Sequence, residues 1–231
     1  MDYRAFKKIY GASNNDISRE VYKNNQNTIQ IKKEETAVNN LEKIFDAVFH
    51  ISYKKGFQAM SMRDLSQRTG MSLGSLYAYF KGKKDLLEII QTQGWMIIKK
   101  DLEQVLKAYD PPGERLKAII KAHVFLSELF RPWFYFTFME ARNIEAAKSM
   151  EDHNQKILTQ ILKAGETQGV FKSGDHDLTA SMIKAMQQEW YLKRWKYKKL
   201  NISVDQFADH LVRLMEAFCL SQESTKVGKG E

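Results

Sequence analysis

Two kinds of site chemistry are suggested by the residue types in this sequence, and the first is nucleophilic catalysis. The segment Gly70-Met71-Ser72-Leu73-Gly74 matches the G-x-S-x-G pattern that surrounds the nucleophilic serine of many hydrolases. In those enzymes a buried strand leads into the serine. Here Ser72 is preceded instead by Arg-Asp-Leu-Ser-Gln-Arg-Thr, which has a charged face and the spacing of an amphipathic helix. We therefore predict no catalytic residue, and a serine hydrolase that uses Ser72 is the alternative.

Metal binding is the second kind of chemistry, and the spacing of the ligands argues against it. The five histidines are scattered, and none pairs with another histidine or with Cys219 at metal-binding spacing. The triplet Asp175-His176-Asp177 offers metal ligands, but a helix cap at Asp177 explains it more simply. We expect neither a metal nor a cofactor. Cys219 is the only cysteine, which excludes an intramolecular disulfide and is typical of a cytoplasmic protein.

Positive charge is concentrated in one short segment. The formal net charge of the 231 residues is +8. Seven basic residues and one acidic residue lie between positions 54 and 84, namely Lys54, Lys55, Arg63, Arg68, Lys81, Lys83 and Lys84 against Asp64. A solvated helix face normally carries charges of both signs, so this segment indicates a polyanionic partner, with nucleic acid as the first candidate. A module that binds anionic membrane surfaces is the alternative, although no apolar run is long enough to span a bilayer.

Two short helices are predicted inside this basic segment. Ser61 stands at the N-cap position of the first, and Gly70 is suited to the left-handed conformation that ends a helix. Ser72 can cap the second helix, from which Leu76 points inward. Two helices of this length joined by a tight glycine turn are typical of a helix-turn-helix, with Leu73–Tyr79 as its recognition helix.

The other elements are also predicted to be helical, because only 3 Pro and 12 Gly interrupt the chain and apolar residues recur at helical spacing. We predict an all-α fold with a three-helix head at 38–84 and a six-helix ligand-binding and dimerisation domain at 85–221. Residues 1–37 form a partly helical extension in which Asp16 caps a short helix, and 222–231 form a polar tail. Gly94 is a place where the first long helix of the second domain could bend.

Residues from Gly56 to Leu86 resemble the TetR family of bacterial regulators. The run GFQAMSMRDLSQRTGMSLGSLYAYFKGKKDL follows the family's order: a glycine that ends the first helix, a hydroxyl residue that opens the second, a glycine turn, Ser-x-Gly-x-Leu-Tyr, then Phe and Lys. The rest of the chain resembles the family only in kind, as a helical domain. The family usually has a short basic arm where this chain has the longer N-terminal extension.

The resemblance implies a homodimer whose two recognition helices enter successive major grooves of a near-palindromic operator. It also implies that a small molecule bound in the helical domain releases the DNA. The positions that match the family's DNA-contacting residues, together with Arg63 from the basic segment, are Ser61, Ser72, Leu73, Gly74, Ser75, Tyr77, Tyr79 and Lys83. Hydroxyls and helix N-termini bind phosphate oxygens, while Leu73 and Ser75 are free to contact base edges. We therefore predict a ligand-responsive repressor that binds double-stranded operator DNA.

An aromatic cluster suggests where the effector binds. Six of the nine residues 130–138 are aromatic. Consecutive aromatics point to all sides of a helix, so one buried face cannot cover them all. The remaining aromatic side chains could line a cavity for an apolar effector, such as a long-chain acyl compound. The predicted pocket residues, including two methionines, are Trp95, His123, Trp133, Phe134, Phe136, Phe138, Met182 and Met186. Glu140, Arg142 and His123 are candidates for fixing a polar end, and a packed core or dimer contact is the alternative for the cluster.

The last two predicted helices, Asp177–Lys196 and Ser203–Leu220, are expected to form the homodimer, because they carry more apolar surface than one subunit covers. The residues that leave this surplus are Trp190, Tyr191, Trp195 and Phe218. The basic stretch 193–199 lies between the two helices. We interpret it as the solvated end of a dimer helix; a contact to the phosphates of a coenzyme A thioester is the alternative.

Overall fold

The computed structural model describes residues 1–11, 13–140 and 145–221, and their secondary structure is helical. Among these residues the one β feature is an isolated bridge between Phe171 and Leu220. The predicted all-α fold is therefore confirmed, while the predicted tail 222–231 lies outside the described residues. No helix in the described ranges is both long and apolar enough to cross a lipid bilayer.

In chain order the helices are α1 (Tyr3–Tyr10), α2 (Asn14–Asn24), α3 (Glu34–Lys55), α4 (Met62–Thr69), α5 (Leu73–Tyr77), α6 (Lys83–Lys107), α7 (Pro112–Leu129), α8 (Arg131–Glu140), α9 (Glu145–Thr167), α10 (His176–Leu192), α11 (Arg194–Lys199) and α12 (Val204–Cys219).

The N-terminal extension forms α1 and α2, and the cap of α2 differs from the predicted one. The N-cap is Ser13, whose hydroxyl accepts a hydrogen bond from the backbone N–H of Asp16 at 3.1 Å. The Asp16 carboxylate in turn accepts from the backbone N–H of Ser13 at 2.8 Å. The prediction that Asp16 is the cap was wrong, because Asp16 is the third helical residue of a capping box. The Ser13 hydroxyl also donates to the Asp16 carboxylate, and this bond together with the one from the Ser13 backbone N–H lowers the pKa of that carboxyl.

The predicted helix 177–196 is also corrected at both ends. The N-cap is Asp175, whose carboxylate accepts from the Leu178 backbone N–H at 2.9 Å. Asp177, the predicted cap, instead accepts from the Thr159 hydroxyl at 2.9 Å. At the other end the backbone leaves the helical conformation at Lys193, with φ −118° and ψ 34°. The described part of the second predicted domain therefore contains seven helices, α6 to α12, where the sequence predicted six.

The chain folds into two compact units, and they do not follow the boundaries drawn from the sequence. The head unit comprises 12–98 and 132–147, so that it includes α2 to α5, the first part of α6, and α8. The body unit comprises 1–11, 99–131 and 148–231, so that it includes α1, α7 and α10 to α12.

Helix α3 is the centre of the head unit, where it packs against α2 and α4. Helix α2 is held to it by an ion pair between Arg19 and Glu34 at 2.6 Å. Aromatic rings from α8 pack against the C-terminal half of α3, with Trp133 against both Phe45 and Phe49. These rings meet edge to face with centroids 5.2 and 5.1 Å apart, a geometry that favours aromatic pairs beyond simple burial.

Helix α7 is the centre of the body unit, where it packs against α1, α10 and α12. Trp190 of α10 was predicted to add to an exposed apolar surface, but it is fully buried, and so is nearly all of Tyr191. The indole N–H of Trp190 donates to Glu128 at 2.9 Å. The guanidinium of Arg194 lies over the Trp190 ring, 4.4 Å from its centroid. These partners explain why this large ring does not remain at the surface.

Gly94 lies within α6, and the helix passes through it without interruption. A Cβ atom at this position would lie 2.8 Å from Cε3 of Trp133, closer than van der Waals contact allows. The glycine therefore serves close packing between α6 and α8 in the head unit.

We expect Gly94→Ala to lower the melting temperature, as measured by circular dichroism. The clash with Trp133 should cost about 1–3 kcal/mol, which exceeds the gain of about 1 kcal/mol from replacing glycine by alanine in a helix. Gly82→Ala is the matched control, because a Cβ there has no neighbour within 4 Å. A higher melting temperature for Gly94→Ala would contradict the packing role.

Candidate nucleic-acid interface

The first helix of the helix-turn-helix, α4, begins with the cap that the sequence predicted. The Ser61 hydroxyl accepts from the Asp64 backbone N–H at 3.1 Å, and the Asp64 carboxylate accepts from the Ser61 backbone N–H at 2.7 Å. Hydrogen bonds from Ser61, together with the ammonium of Lys55 at 2.9 Å, hold the pKa of Asp64 well below its ordinary value. This reciprocal cap fixes the start of α4 at the surface, next to the exposed side chain of Arg63.

The turn between α4 and α5 depends on Gly70. This residue has φ 71° and ψ 9°, the left-handed conformation that residues with a Cβ rarely adopt. The hydroxyl of Ser66 reaches across the turn and donates to the carbonyl oxygen of Met71 at 2.6 Å. The hydroxyl of Ser72 then caps α5 by accepting from the Ser75 backbone N–H at 3.1 Å. The predicted roles of Gly70 and Ser72 in helix ends are confirmed.

Helix α5 presents short polar side chains to solvent and one apolar side chain to the core. Leu76 is fully buried. Ser72, Gly74 and Ser75 are exposed, Leu73 is partly exposed, and Tyr77 is 49 % exposed. This arrangement suits entry into the DNA major groove. The exposed groups are two serine hydroxyls, the backbone of a glycine and one phenol, all of which can hydrogen-bond to DNA. Among the described residues, the hydrogen-bond partners of the Ser72 hydroxyl both lie on Ser75, which gives the hydrolase alternative no support.

Tyr79 differs from its neighbours, because only 1 % of its surface is exposed. Its hydroxyl accepts a hydrogen bond from the side-chain amide of Asn40 on α3 at 2.9 Å. Burial raises the pKa of this phenol. The predicted contact between Tyr79 and DNA is therefore corrected: the ring anchors the end of the recognition helix inside the head unit.

A second anchor for the recognition helix comes from the N-terminal extension, for which the sequence predicted no role. The backbone N–H of Gln30 donates to the carbonyl oxygen of Ala78, the C-cap of α5, at 2.9 Å. Ile29 beside it is buried. The phenol of Tyr22 on α2 donates to the carbonyls of Ile31 and Lys32, both at 3.2 Å. The extension thus braces the C-terminal end of α5, a long-range contact without a local sequence signal.

The basic segment combines charges used in the fold with charges that face solvent. Lys83 is only partly exposed; its ammonium donates to the carbonyl oxygen of Gln58 at 2.7 Å and lies 5.0 Å from the centroid of the Phe57 ring. Two of its three N–H donors remain for a phosphate. Lys54 and Arg68 line a surface groove with His50. Desolvation and then the positive charges of Arg68 and Lys54 lower the pKa of His50, which indicates a positive potential there.

Comparison with known proteins places this helix-turn-helix in a family. The model of "Bacterial regulatory proteins, tetR family" matches residues 44–90, and that of "Tetracyclin repressor-like, C-terminal domain" matches residues 109–218. The chain belongs to the TetR family. The members of this family are transcriptional regulators that bind DNA, and this chain is one of them. Membership also points away from an enzyme.

Three proteins illustrate what this TetR-family chain is similar to. The fatty acid metabolism regulator protein of Bacillus subtilis (strain 168) is 25 % identical over 170 residues, 69 % of this chain and 88 % of the relative. The structure of the ketosteroid transcriptional regulator KstR2 of Mycobacterium tuberculosis has a TM-score of 0.70 and 17 % identity, and the match covers 84 % of this chain and 99 % of that one. FadR from Bacillus subtilis, solved in complex with stearoyl-CoA, has a TM-score of 0.60 and 22 % identity, covering 76 % and 97 %. At these identities the structural likeness establishes the fold.

The residues predicted to bind an effector in this TetR-family protein are divided between the two units. Trp133, Phe134 and Phe136 are buried in the head unit. Phe136 meets Phe57 edge to face with centroids 5.4 Å apart. Glu140, proposed to fix a polar end of a ligand, accepts a hydrogen bond from the Phe57 backbone N–H at 3.0 Å. This packing favours the alternative of a solid core for the α8 aromatics.

The remaining predicted pocket residues have varied surroundings. Trp95 and Phe138 belong to the head unit, and Phe138 is exposed. His123 is buried in the body unit, where desolvation and the charge of Lys184 lower its pKa to about 3, so it is neutral at physiological pH. Met182 is exposed on α10, whereas Met186 is partly buried. Arg142 lies outside the described residues.

We expect Tyr77→Ala to weaken binding to all DNA sequences about equally, roughly 5- to 10-fold, because its phenol should contact a phosphate with the strength of one hydrogen bond. Lys83→Ala should do the same and lower the slope of log K against log salt by about one. Both effects can be measured by fluorescence anisotropy across a salt series.

Tyr53→Ala is the matched control, because this tyrosine is 74 % exposed on α3, where its ring meets that of Tyr135 with centroids 5.6 Å apart. It should leave DNA affinity unchanged. Equal affinities for Tyr77→Ala and the parent protein would refute the assignment of α5 as the recognition helix.

Proposed function

We propose that this TetR-family regulator is a homodimeric repressor that an acyl thioester releases from a near-palindromic operator. The observation that carries the proposal is the surface of α5, where Ser72, Ser75 and Tyr77 are exposed on a helix that is anchored from beneath by Leu76. In this proposal Leu73 and Ser75 contact base edges, while Ser61, Arg63, Ser72, Tyr77 and Lys83 hold the phosphates on either side. Phosphate contacts set the register, and base contacts select the sequence.

Dimerisation is supported by two apolar stripes in the body unit. On α10 the exposed residues Leu178 and Met182 are four positions apart, and on α12 the exposed residues Leu214 and Phe218 are also four apart. Residues at this spacing share one face of a helix. Two such stripes supply a self-complementary surface for a two-fold dimer. The axis would place the recognition helices about 34–36 Å apart, or a multiple of that, to match successive grooves.

The effector class is proposed from what two of the relatives are named for or hold. One relative is named for fatty acid metabolism, and one structural neighbour holds stearoyl-CoA. The phosphates of such a thioester need cations, and the stretch 193–199 was one candidate. In that stretch Lys193 and Lys196 pair with Glu189, at 2.8 and 3.0 Å. Lys198 and Lys199 are exposed, which fits the solvated helix end that the sequence predicted for this stretch.

Release of the operator would follow if the effector binds one arrangement of the dimer more tightly than another. If the effector prefers the arrangement whose heads no longer match two grooves, operator affinity falls by the same coupling free energy. A coupling of about 1–3 kcal/mol changes operator binding by roughly 5- to 150-fold.

We expect Leu214→Asp with Phe218→Asp to convert the dimer to a monomer in sedimentation velocity at micromolar concentration. The two carboxylates on the α12 stripe would have to be desolvated in the interface without a partner, at a cost of several kcal/mol. The control is Leu200→Asp, which places a single carboxylate at an exposed apolar residue outside the two stripes. A dimer that survives the double substitution would contradict this interface.

The function is tested by selecting operator fragments from genomic DNA with the purified protein and then adding effectors. We expect a near-palindromic site whose complex dissociates on addition of stearoyl-CoA but not of coenzyme A. Selection of an operator without release by any acyl-CoA would leave DNA binding intact and disprove the effector class. Failure to enrich any sequence would disprove the regulatory function itself.

A further inference from the structure

Gln91 is a buried amide without a hydrogen-bond partner. It lies in the middle of α6, in the part of that helix that belongs to the head unit. Its exposure is 0 %, and neither its side-chain nitrogen nor its side-chain oxygen has a hydrogen-bond partner among the described residues. A primary amide carries two donors and one acceptor with two lone pairs, so several polar positions are unsatisfied at one place.

Among the described residues, the other buried glutamines each have a hydrogen-bond partner, unlike Gln91. Gln93, two positions along the same helix, accepts a hydrogen bond from the side-chain amide of Asn24 at 2.8 Å. Gln187 on α10 donates to the carbonyl oxygen of Ile120 at 3.5 Å. Burying an unpaired polar group destabilises a fold by about 1–3 kcal/mol, so such groups are rare and usually have a reason. An apolar side chain of the same size at position 91 would avoid this destabilisation.

The position of Gln91 on α6 connects it with the predicted effector site. Residues three and four apart share a face of a helix, which puts Gln91 on one face with Gly94 and Trp95. Trp95 was predicted from the sequence to line the effector pocket. Gly94 lies in close contact with Trp133 of α8. The unpaired amide is therefore one helical turn from the place where α6 and α8 pack together.

We propose that Gln91 binds the neutral carbonyl and amide groups of the effector's acyl-pantetheine segment; the inference rests on the proposed acyl thioester effector. The side-chain N–H donates to a carbonyl oxygen of the ligand, and the side-chain oxygen accepts from a ligand amide N–H. A neutral amide suits these uncharged groups, whereas a hydrocarbon chain alone offers it no partner. The amide has no partner among the described residues and gains ligand partners on binding, so it contributes to affinity and specificity at the expense of stability.

The test compares Gln91→Leu with Gln93→Leu in the full-length protein. For Gln91→Leu we expect an unchanged or higher melting temperature, because no hydrogen bond is lost, together with an affinity for stearoyl-CoA that is about 10-fold lower or weaker still. For Gln93→Leu we expect the opposite pattern, a lower melting temperature with unchanged affinity, because the bond to Asn24 is lost. Calorimetry measures the binding, and stearic acid, which lacks the thioester and the amides, should bind equally to the parent and to Gln91→Leu.

The outcomes separate the two proposals. If the parent protein does not bind stearoyl-CoA, the effector class fails before any variant is compared. If the parent binds it and Gln91→Leu binds it equally well, the role of Gln91 is overturned while the effector class survives. A lower melting temperature for Gln91→Leu with retained affinity would show that the amide is satisfied within the folded protein. Equal losses of affinity for stearoyl-CoA and stearic acid would also overturn the inference, because they indicate a general disturbance of the fold.

Discussion

A recognition helix of five residues has almost no stability of its own, and the rest of the head unit is arranged around this constraint. Starting a helix is unfavourable, and short helices are marginal in water. The orientation of α5 must therefore come from outside it: Leu76 is buried beneath it, Ser72 caps its start, and the Ala78 carbonyl at its end accepts from Gln30. Because these contacts hold the backbone, the outward-facing side chains can remain short and polar, as base recognition requires.

The same constraint explains why some basic residues of this segment hold the fold while others face solvent. Lys55 is paired with Asp64, and Asp64 in turn closes the cap of α4, so this pair orients the helix-turn-helix rather than meeting DNA. Lys83 is tied to the Gln58 carbonyl, which holds its ammonium at the start of α6. Arg63 is exposed near the start of α4. A cation held in place loses less conformational entropy when it meets a phosphate, so the fold contributes to affinity as well as to position.

The aromatic residues of α8 connect α6 with α3 inside the head unit. Trp133 and Phe136 pack on α3, and Glu140 accepts from the backbone immediately after α3. Close-packed interiors transmit displacement because they have little free volume. In the proposed mechanism a ligand that contacts α6 near Gln91 would thus act on residues that pack against α3, the helix on which α4 rests.

Local signals in the sequence were sufficient for the helix-turn-helix, since caps, glycine turns and helical periodicity act over a few residues. Ser61, Gly70 and Ser72 are examples, and the all-α fold follows from the same periodicity. The N-cap was assigned wrongly where two polar residues within one turn can both cap the helix, as Ser13 with Asp16 and Asp175 with Asp177 show.

By itself, the sequence determined the fold class, the DNA-binding motif and the concentration of positive charge, because each depends on neighbouring residues. Only the tertiary structure decided which side chains of that motif face solvent. Tyr77 and Tyr79 are two positions apart, yet one is exposed and the other is hydrogen-bonded to Asn40, 39 residues away. The bracing of α5 by residue 30, the packing of α8 on α3 and the unpaired amide of Gln91 likewise depend on segments distant in sequence. Burial and pairing are properties of the packed chain, so no local pattern could reveal them.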